Sequence, residues 1–352
     1  MNDSEKMLSA FSELYFYKEL VLRNLHFTPE GSTEKEVADL LINGGDFIIA
    51  IQLKSRNEKD QTSELEKELK WLNSKCKAAK RQVKESIEFI NTGKLPAFEN
   101  GRKKRVKLSV TAEIIPLIVF MNDSVVDDYQ HVLYKHSDEG MDINCMSFHD
   151  FQKMCKALLS PMEIVEYLKW RLSYYLKNGN VNISIYMDND SFTMVKPTHC
   201  ESLCLQFVAE KYGIKSTQER QEYIRAFSEM LHKLPSRVVM ESQEDGSYPL
   251  ILFFAHFNRI EIMKFVERID KALDAARTKE YNIVGSLRNV EQKYVIVFVS
   301  THDGYALDMD FLAKMAREKG DFDILLQVFC YWESEKEFRI DYRVRDCFDE
   351  YL

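Results

Sequence analysis

The chain has little of what marks several protein classes. With only 12 glycines and 7 prolines in 352 residues, collagen-like, low-complexity and largely disordered readings are excluded. The seven cysteines are an odd number without framework spacing, which points to reduced thiols in a cytosol. No apolar run reaches the roughly 18 residues that a membrane span needs. Pro116 interrupts one of the longest, Ile114 to Met121. The opening MNDSEKMLSAFSE carries acids where an export signal has a basic start and an apolar block, so a cytoplasmic protein without membrane contact is expected. Nor is there an overall positive charge: 48 Lys and Arg against 56 Asp and Glu leave a net charge of −8, so any nucleic-acid-binding surface must be local. Ser-His-Asp, phosphate-cradling Gly-rich and dinucleotide fingerprints are also missing.

What is present is a chain with 45% hydrophobic and 30% charged residues, long enough for about two domains. Met7, Leu8, Phe11, Leu14, Tyr15 and Leu22 trace one face of a first helix, broken at Thr28-Pro-Glu-Gly31. Glu36 to Ile42 and Phe47 to Leu53 flank Asn43-Gly44-Gly45-Asp46 and read as a β-hairpin. Steps of three and four between Leu65 and Ile90 mark a long amphipathic helix, and Val110 to Phe120 a buried strand that pairs parallel within the same sheet. Two helices begin at Ser147 and at Ser160-Pro161, and the domain boundary is placed after them, giving residues 1–178 and 179–352.

The second half reads as another α/β domain. Strands are expected at 181–187, 237–241, 249–257, 281–287, 293–300, 324–332 and 338–344, and helices at 199–212, 217–234, 258–276 and 307–319.

A turn centred on Gly44-Gly45 sets hairpin position sums at 89, so Asp39 faces Ala50 and Val37 faces Gln52. Asp39, Gln52 and Lys54 then share a face that is otherwise partly apolar, where charge is costly unless used. Three converging polar groups suit metal-assisted phosphodiester hydrolysis, which needs a hard cation on phosphorus oxygens and a group to orient or deprotonate water. In that arrangement Asp39 holds Mg²⁺ or Mn²⁺, the Leu53 carbonyl adds an oxygen ligand, Lys54 meets the attacking water and developing charge, and Glu13 on the first helix is a candidate to complete the site.

In this order, Glu13, Glu36-Val-Ala-Asp39, the Gly-Gly turn and Ile49-Ala-Ile-Gln52-Leu-Lys54 resemble the PD-(D/E)XK nuclease superfamily, in its subgroup with Gln at the second acidic position. The resemblance covers roughly residues 5–125. It implies a restriction-endonuclease-like α-β-β-β-α-β core and does not extend to the second half, the separate α/β domain read above. It implies a metal-dependent nuclease acting on DNA, with RNA left open, in which Gln52 orients the cation or the water. The helix carrying Trp71, Lys77, Lys80, Arg81 and Gln82 is similar to the one that approaches DNA phosphate in these enzymes. By analogy with stand-alone nucleases of this kind, an antiphage or restriction-like effector and a homodimer are expected. Two departures, Ala38 in place of Pro and Gln52 in place of an acid, keep open a catalytically inactive module that binds nucleic acid or protein.

Charge is unevenly distributed. Between Lys70 and Lys107 twelve basic residues, Lys84 among them, face three acidic ones. The Arg102-Lys103-Lys104-Arg105 loop is a candidate clamp on a phosphate backbone, carrying affinity without sequence readout. Residues 300–352 hold thirteen acids and seven bases, better suited to a protein partner or ligand than to nucleic acid. Cys200 and Cys204 are read as core thiols, Thr301-His302-Asp303-Gly304 as a turn, and Trp71, Tyr167, Trp170, Tyr174 and Tyr175 as packing aromatics.

Overall fold

The computed structural model describes residues 2–29, 33–62, 64–122, 133–135, 142–178, 200–214, 221–233, 247–280, 282–289, 294–301, 324–335 and 337–346. They form a mixed α/β chain of two units, residues 1–219 and 220–352. The first unit contains α1 (Asp3–Leu20), β1 (Val21–Leu22), β2 (His26–Phe27), β3 (Lys35–Glu36), β4 (Leu40–Asn43), β5 (Phe47–Ser55), α2 (Leu65–Asn91), β6 (Phe98–Glu99) and β7 (Arg105–Val106). It continues through β8 (Glu113–Met121), β9 (Leu133–Lys135), β10 (Asp142–Ser147), α3 (Phe148–Leu158), α4 (Pro161–Asn178) and α5 (Cys200–Tyr212). It runs past the boundary expected at 178 because α5 packs on α3 and α4, with Phe207 against Tyr167 and Trp170.

Its sheet has the order β1-β4-β5-β8-β10-β9. β1, β4 and β5 run antiparallel in turn, and β5 pairs parallel with β8, as expected for strands joined through a long helix. That helix, α2, buries Leu72, Cys76, Ala79, Val83, Ser86 and Ile90 at alternating steps of four and three. It stops at Thr92 and at Gly93, whose φ of +67° is the left-handed conformation that ends helices. α2 lies on one face of the sheet: the Cys76 and Cys145 sulfurs are 3.7 Å apart across that contact. Asn144, one residue earlier in β10, points the other way and bonds the Leu168 carbonyl of α4 and the Arg171 guanidinium. α1 packs on α3 through Phe11 and Phe16 against Phe151.

Two expectations in this unit are corrected. The hairpin register pairs Leu40 with Ile51 and Asn43 with Ile48, a position sum of 91 rather than 89. The turn is centred one residue later, because Gly45 takes φ +91° and the Asn43 side chain accepts its N–H at 3.2 Å. A change of two in the sum keeps every side chain on its expected face. The first helix ends at Leu20 with a non-helical Tyr17 (φ 61°), and Leu22 belongs to β1. Its buried stripe is Leu8, Ser9, Ser12, Phe16, Glu19 and Leu20, leaving Met7 and Leu14 51% and 60% exposed. Ser9, Ser12 and Glu19 share the inner face with Leu8 and Phe16, so apolar periodicity traced only part of it.

The second unit contains α6 (Gln221–Lys233), α7 (Ser247–Ala255), α8 (Arg259–Arg277), β11 (Ile283–Asn289), β12 (Tyr294–Ser300), β13 (Ile324–Trp332) and β14 (Phe338–Asp346). Its sheet runs β11-β12-β13-β14, with only the β12–β13 pair parallel. α8 starts from an Asn258–Glu261 capping box and packs against β11, β12 and β13. Residues 249–257, expected as a strand, lie in α7 and the turn after it. Pro249 is tolerated in the first helical turn, and an unbroken apolar run carries no period that separates buried strand from buried helix. The aromatic rings of Phe254 and Phe257 there meet Phe227 and Phe265. The strands expected at 181–187 and 237–241 and the helix at 307–319 lie outside the described residues, as do His302, Asp303 and Gly304. Among the described residues no helix is long and apolar enough to cross a membrane.

Candidate active site

The site lies where β4 begins and β5 ends, beside α2. Asp39, just ahead of β4, accepts the Leu53 N–H through Oδ2 at 2.7 Å, standing in for a main-chain acceptor past the end of the ladder. The Lys54 ammonium lies 3.9 Å from the same oxygen and donates to the Leu53 carbonyl at 3.0 Å. Both side chains are nearly enclosed, 12% and 14% exposed. Burial pushes the Asp39 carboxyl above its ordinary value, outweighing the Lys54 charge and the Leu53 N–H that favour its ionised form. Burial likewise pulls the Lys54 ammonium down, against the opposing pull of Asp39 and Glu36. Each group is thus moved toward its neutral form.

Gln52 and Glu13 take other partners. The Gln52 side chain is buried and its amide donates to Ser86 Oγ of α2 at 3.3 Å. Ser86 in turn sits against the Val37 carbonyl. Gln52 therefore ties helix to sheet. Glu13 pairs with Arg23 and packs against the turn at Gly101. The carboxylates whose charge does reach the site are Glu36 and Glu5: both act on Asp39 or are acted on by it, and Glu36 is itself raised, chiefly by burial and then by Asp39. The signal for Glu36 was its place three residues before Asp39; for Glu5 the sequence held none.

The basic residues divide. Lys75 on α2 acts electrostatically on Lys54. At about 100° per residue Gln82 falls on the same edge as Lys75, whereas Lys77, Lys80 and Lys84 are rotated about 140–200° away and Arg81 about 120° the other way. Lys77 and Arg81 are exposed; Lys80 and Lys84 are partly buried. Residues 102–104 form not a free loop but the tight turn between β6 and β7, and Arg105 opens β7. Buried Asn100 holds this turn by accepting the Arg102 and Lys104 N–H groups and donating to the Glu19 carbonyl. Arg102 is bonded to Glu19 at 2.7 Å, while Lys103, Lys104 and Arg105 are exposed. A cleft of about 340 Å³ beside this turn is lined by Arg23, His26, Glu99 and Arg105. His26 lies 3.8 Å from Glu36, which joins the cleft to the Asp39 cluster.

The other sequence candidates are structural. Cys200 and Cys204 are buried free thiols. Tyr167, Trp170 and Tyr174 stack in series on α4, and Trp71 lies under the Arg56 guanidinium.

Among the described residues no group of three or more His, Cys, Asp or Glu side chains converges as a metal site. Mg²⁺ asks for less, because it retains waters and takes one or two carboxylates plus substrate phosphate. Asp39, Glu36 and the Leu53 carbonyl offer oxygen donors of the right kind, and the raised Asp39 and Glu36 carboxyls are the groups a cation would return to their ionised form. No protein-family model matches the chain, and comparison with curated proteins and with solved structures gave no match.

Proposed function

We propose that the chain is a Mg²⁺-dependent nuclease of the PD-(D/E)XK kind, cleaving DNA phosphodiester bonds in its first unit. The observation that carries this reading is the meeting of Asp39 and Lys54 across the ends of β4 and β5. The order helix, three antiparallel strands, long helix, parallel strand around them supports it. Asp39 and the Leu53 carbonyl would hold the cation, with Glu36 rather than Glu13 as the second carboxylate. Bound there, Mg²⁺ supplies Lewis-acid polarisation of the phosphoryl oxygens. Lys54, depressed by burial, would hold or yield a proton at its Nζ beside the attacking water and place positive charge where the phosphoryl oxygens develop negative charge. Lys75 and the Arg23–His26–Arg105 cleft would hold a flanking phosphate backbone.

A second reading, a nuclease-fold module without catalysis, draws on Gln52 being spent on Ser86 and Glu13 on Arg23. Supercoiled-plasmid cleavage with Mg²⁺, Mn²⁺ or EDTA separates the two. Metal-dependent nicking, lowered about 10²–10³-fold in both Asp39→Ala and Lys54→Ala, is expected for the nuclease. A wild-type protein that binds DNA in a salt-dependent way yet cuts nothing would leave the second reading standing and remove the first.

A further inference from the structure

Outside the nuclease reading and independent of it, the second unit holds a cavity of about 560 Å³ walled by α6, α8 and β14. Its apolar side is made by Val266, Ile269 and Leu273 of α8 and by Ile340 and Tyr342 of β14, all buried. Phe338 lines it too and leaves 47% of its surface in water. Four carboxylates stand around this apolar surface, Glu229, Asp270, Glu333 and Glu337, and the described lining has no Lys, Arg or His. Arg339 answers Glu333 at 2.9 Å. Glu229, Asp270 and Glu337 have no ion pair or side-chain hydrogen bond among the described residues. Asp274 and Glu267 lie close enough on α8 to act on Asp270, and with burial they raise its carboxyl.

The composition selects a ligand class by elimination. An anion meets four carboxylates. A bare divalent ion finds no convergent oxygen cage among the described residues and gains nothing from an apolar floor. A neutral hydrocarbon leaves the rim carboxylates partly desolvated and unanswered. The volume is that of a site for one small organic molecule, for which roughly 300–1,000 Å³ is usual. We propose that this cavity binds a small amphiphilic organic cation, an amine or guanidine on an alkyl or aryl body. The body lies on Ile269, Leu273 and Ile340, and the charged head sits between Asp270 and Glu337.

Isothermal titration of the full chain tests this with decylammonium, with decanoate as the tail bearing the opposite charge, and with tetramethylammonium as a cation without a tail. Decylammonium is expected to bind one per chain and at least about tenfold more tightly than either control. Asp270→Asn with Glu337→Gln should weaken it by about tenfold or more while the thermal melt and far-ultraviolet dichroism stay unchanged. Phe338→Ser, at a half-exposed position, should weaken decylammonium without restoring decanoate. Equal binding of decylammonium and decanoate would overturn the proposal, as would full affinity in the carboxamide variant. A Leu/Lys amphipathic helical peptide that binds through Asp270 and Glu337 where decylammonium does not would also overturn it, making the cavity a docking groove for a partner's helix.

Discussion

At the scale of single residues, the Asp39–Lys54 pair is a place where folding works against ionisation. The Asp39 carboxyl sits above its ordinary 3.8, so its contribution to stability is fully present below that value and is lost as pH rises through the raised one. The Lys54 ammonium sits below its ordinary 10.5, so its contribution is present above 10.5 and lost as pH falls through the lowered value. In each group folding therefore disfavours the charged form. The Asp39→Asn, Lys54→Met double variant is expected to be more stable than wild type at pH 7 by about 1 kcal/mol, with the gap narrowing toward pH 3.5 as Asp39 protonates. Urea melts at the two pH values check this, and a double variant less stable at pH 7 would show the pair to be a net stabiliser. These two residues were legible in the sequence because strand alternation fixes faces, and even a two-residue error in register preserves them. Glu13 was misplaced for the opposite reason. Where a long side chain on a helix lands depends on the Tyr17 kink and on the Gly101 turn, neither of which has a period to read.

At the scale of elements, the end of α1 and the β6–β7 turn form one joint. Asn100 is buried, its side chain makes three hydrogen bonds, and the Gly101 N–H reaches the Lys18 and Val21 carbonyls at 2.8 and 3.0 Å. Asn100→Ala is expected to cost about 2–3 kcal/mol, since one buried and two part-buried groups lose their partner at once. Denaturant titration checks this; a loss under about 0.5 kcal/mol would mean that water replaces those bonds. The long elements α2, α8, β5, β8, β12 and β13 could be read from the sequence because each sustains a strong apolar pattern or a capping box. The two-residue strands β1, β2, β3, β6 and β7 were not, because so short a segment forms only in answer to a neighbour. The helix α7 was missed because nine nearly all-apolar residues suit either buried form.

For the whole molecule, charge is the property that tells most. A chain of net charge −8 carries twelve of its 48 basic residues between Lys70 and Lys107, and the helix geometry turns only part of that stretch toward Asp39 and Lys54. Lys75→Ala is expected to lower the slope of log K against log salt for DNA binding by about 0.9, the value for one lost phosphate contact, and Lys84→Ala to leave it unchanged. Fluorescence anisotropy across a salt series measures both. Equal effects would mean that DNA lies along the outer face of α2 instead. The sequence places a boundary after residue 178, whereas α5 is grouped with the first unit by packing against α3 and α4, a contact across sequence that composition does not record.

The buried thiols give the chain a built-in clock. Cys76 and Cys145 lie sulfur to sulfur under α2, and Cys330 lies in the central strand of the other sheet, all reduced and all sealed from water. None can react with an alkylating reagent until its own layer lifts, so the rate at which each is modified records how often that layer opens. Mass spectrometry of a time course would therefore read the opening free energies of the two sheets separately, in one tube, from the unlabelled native protein.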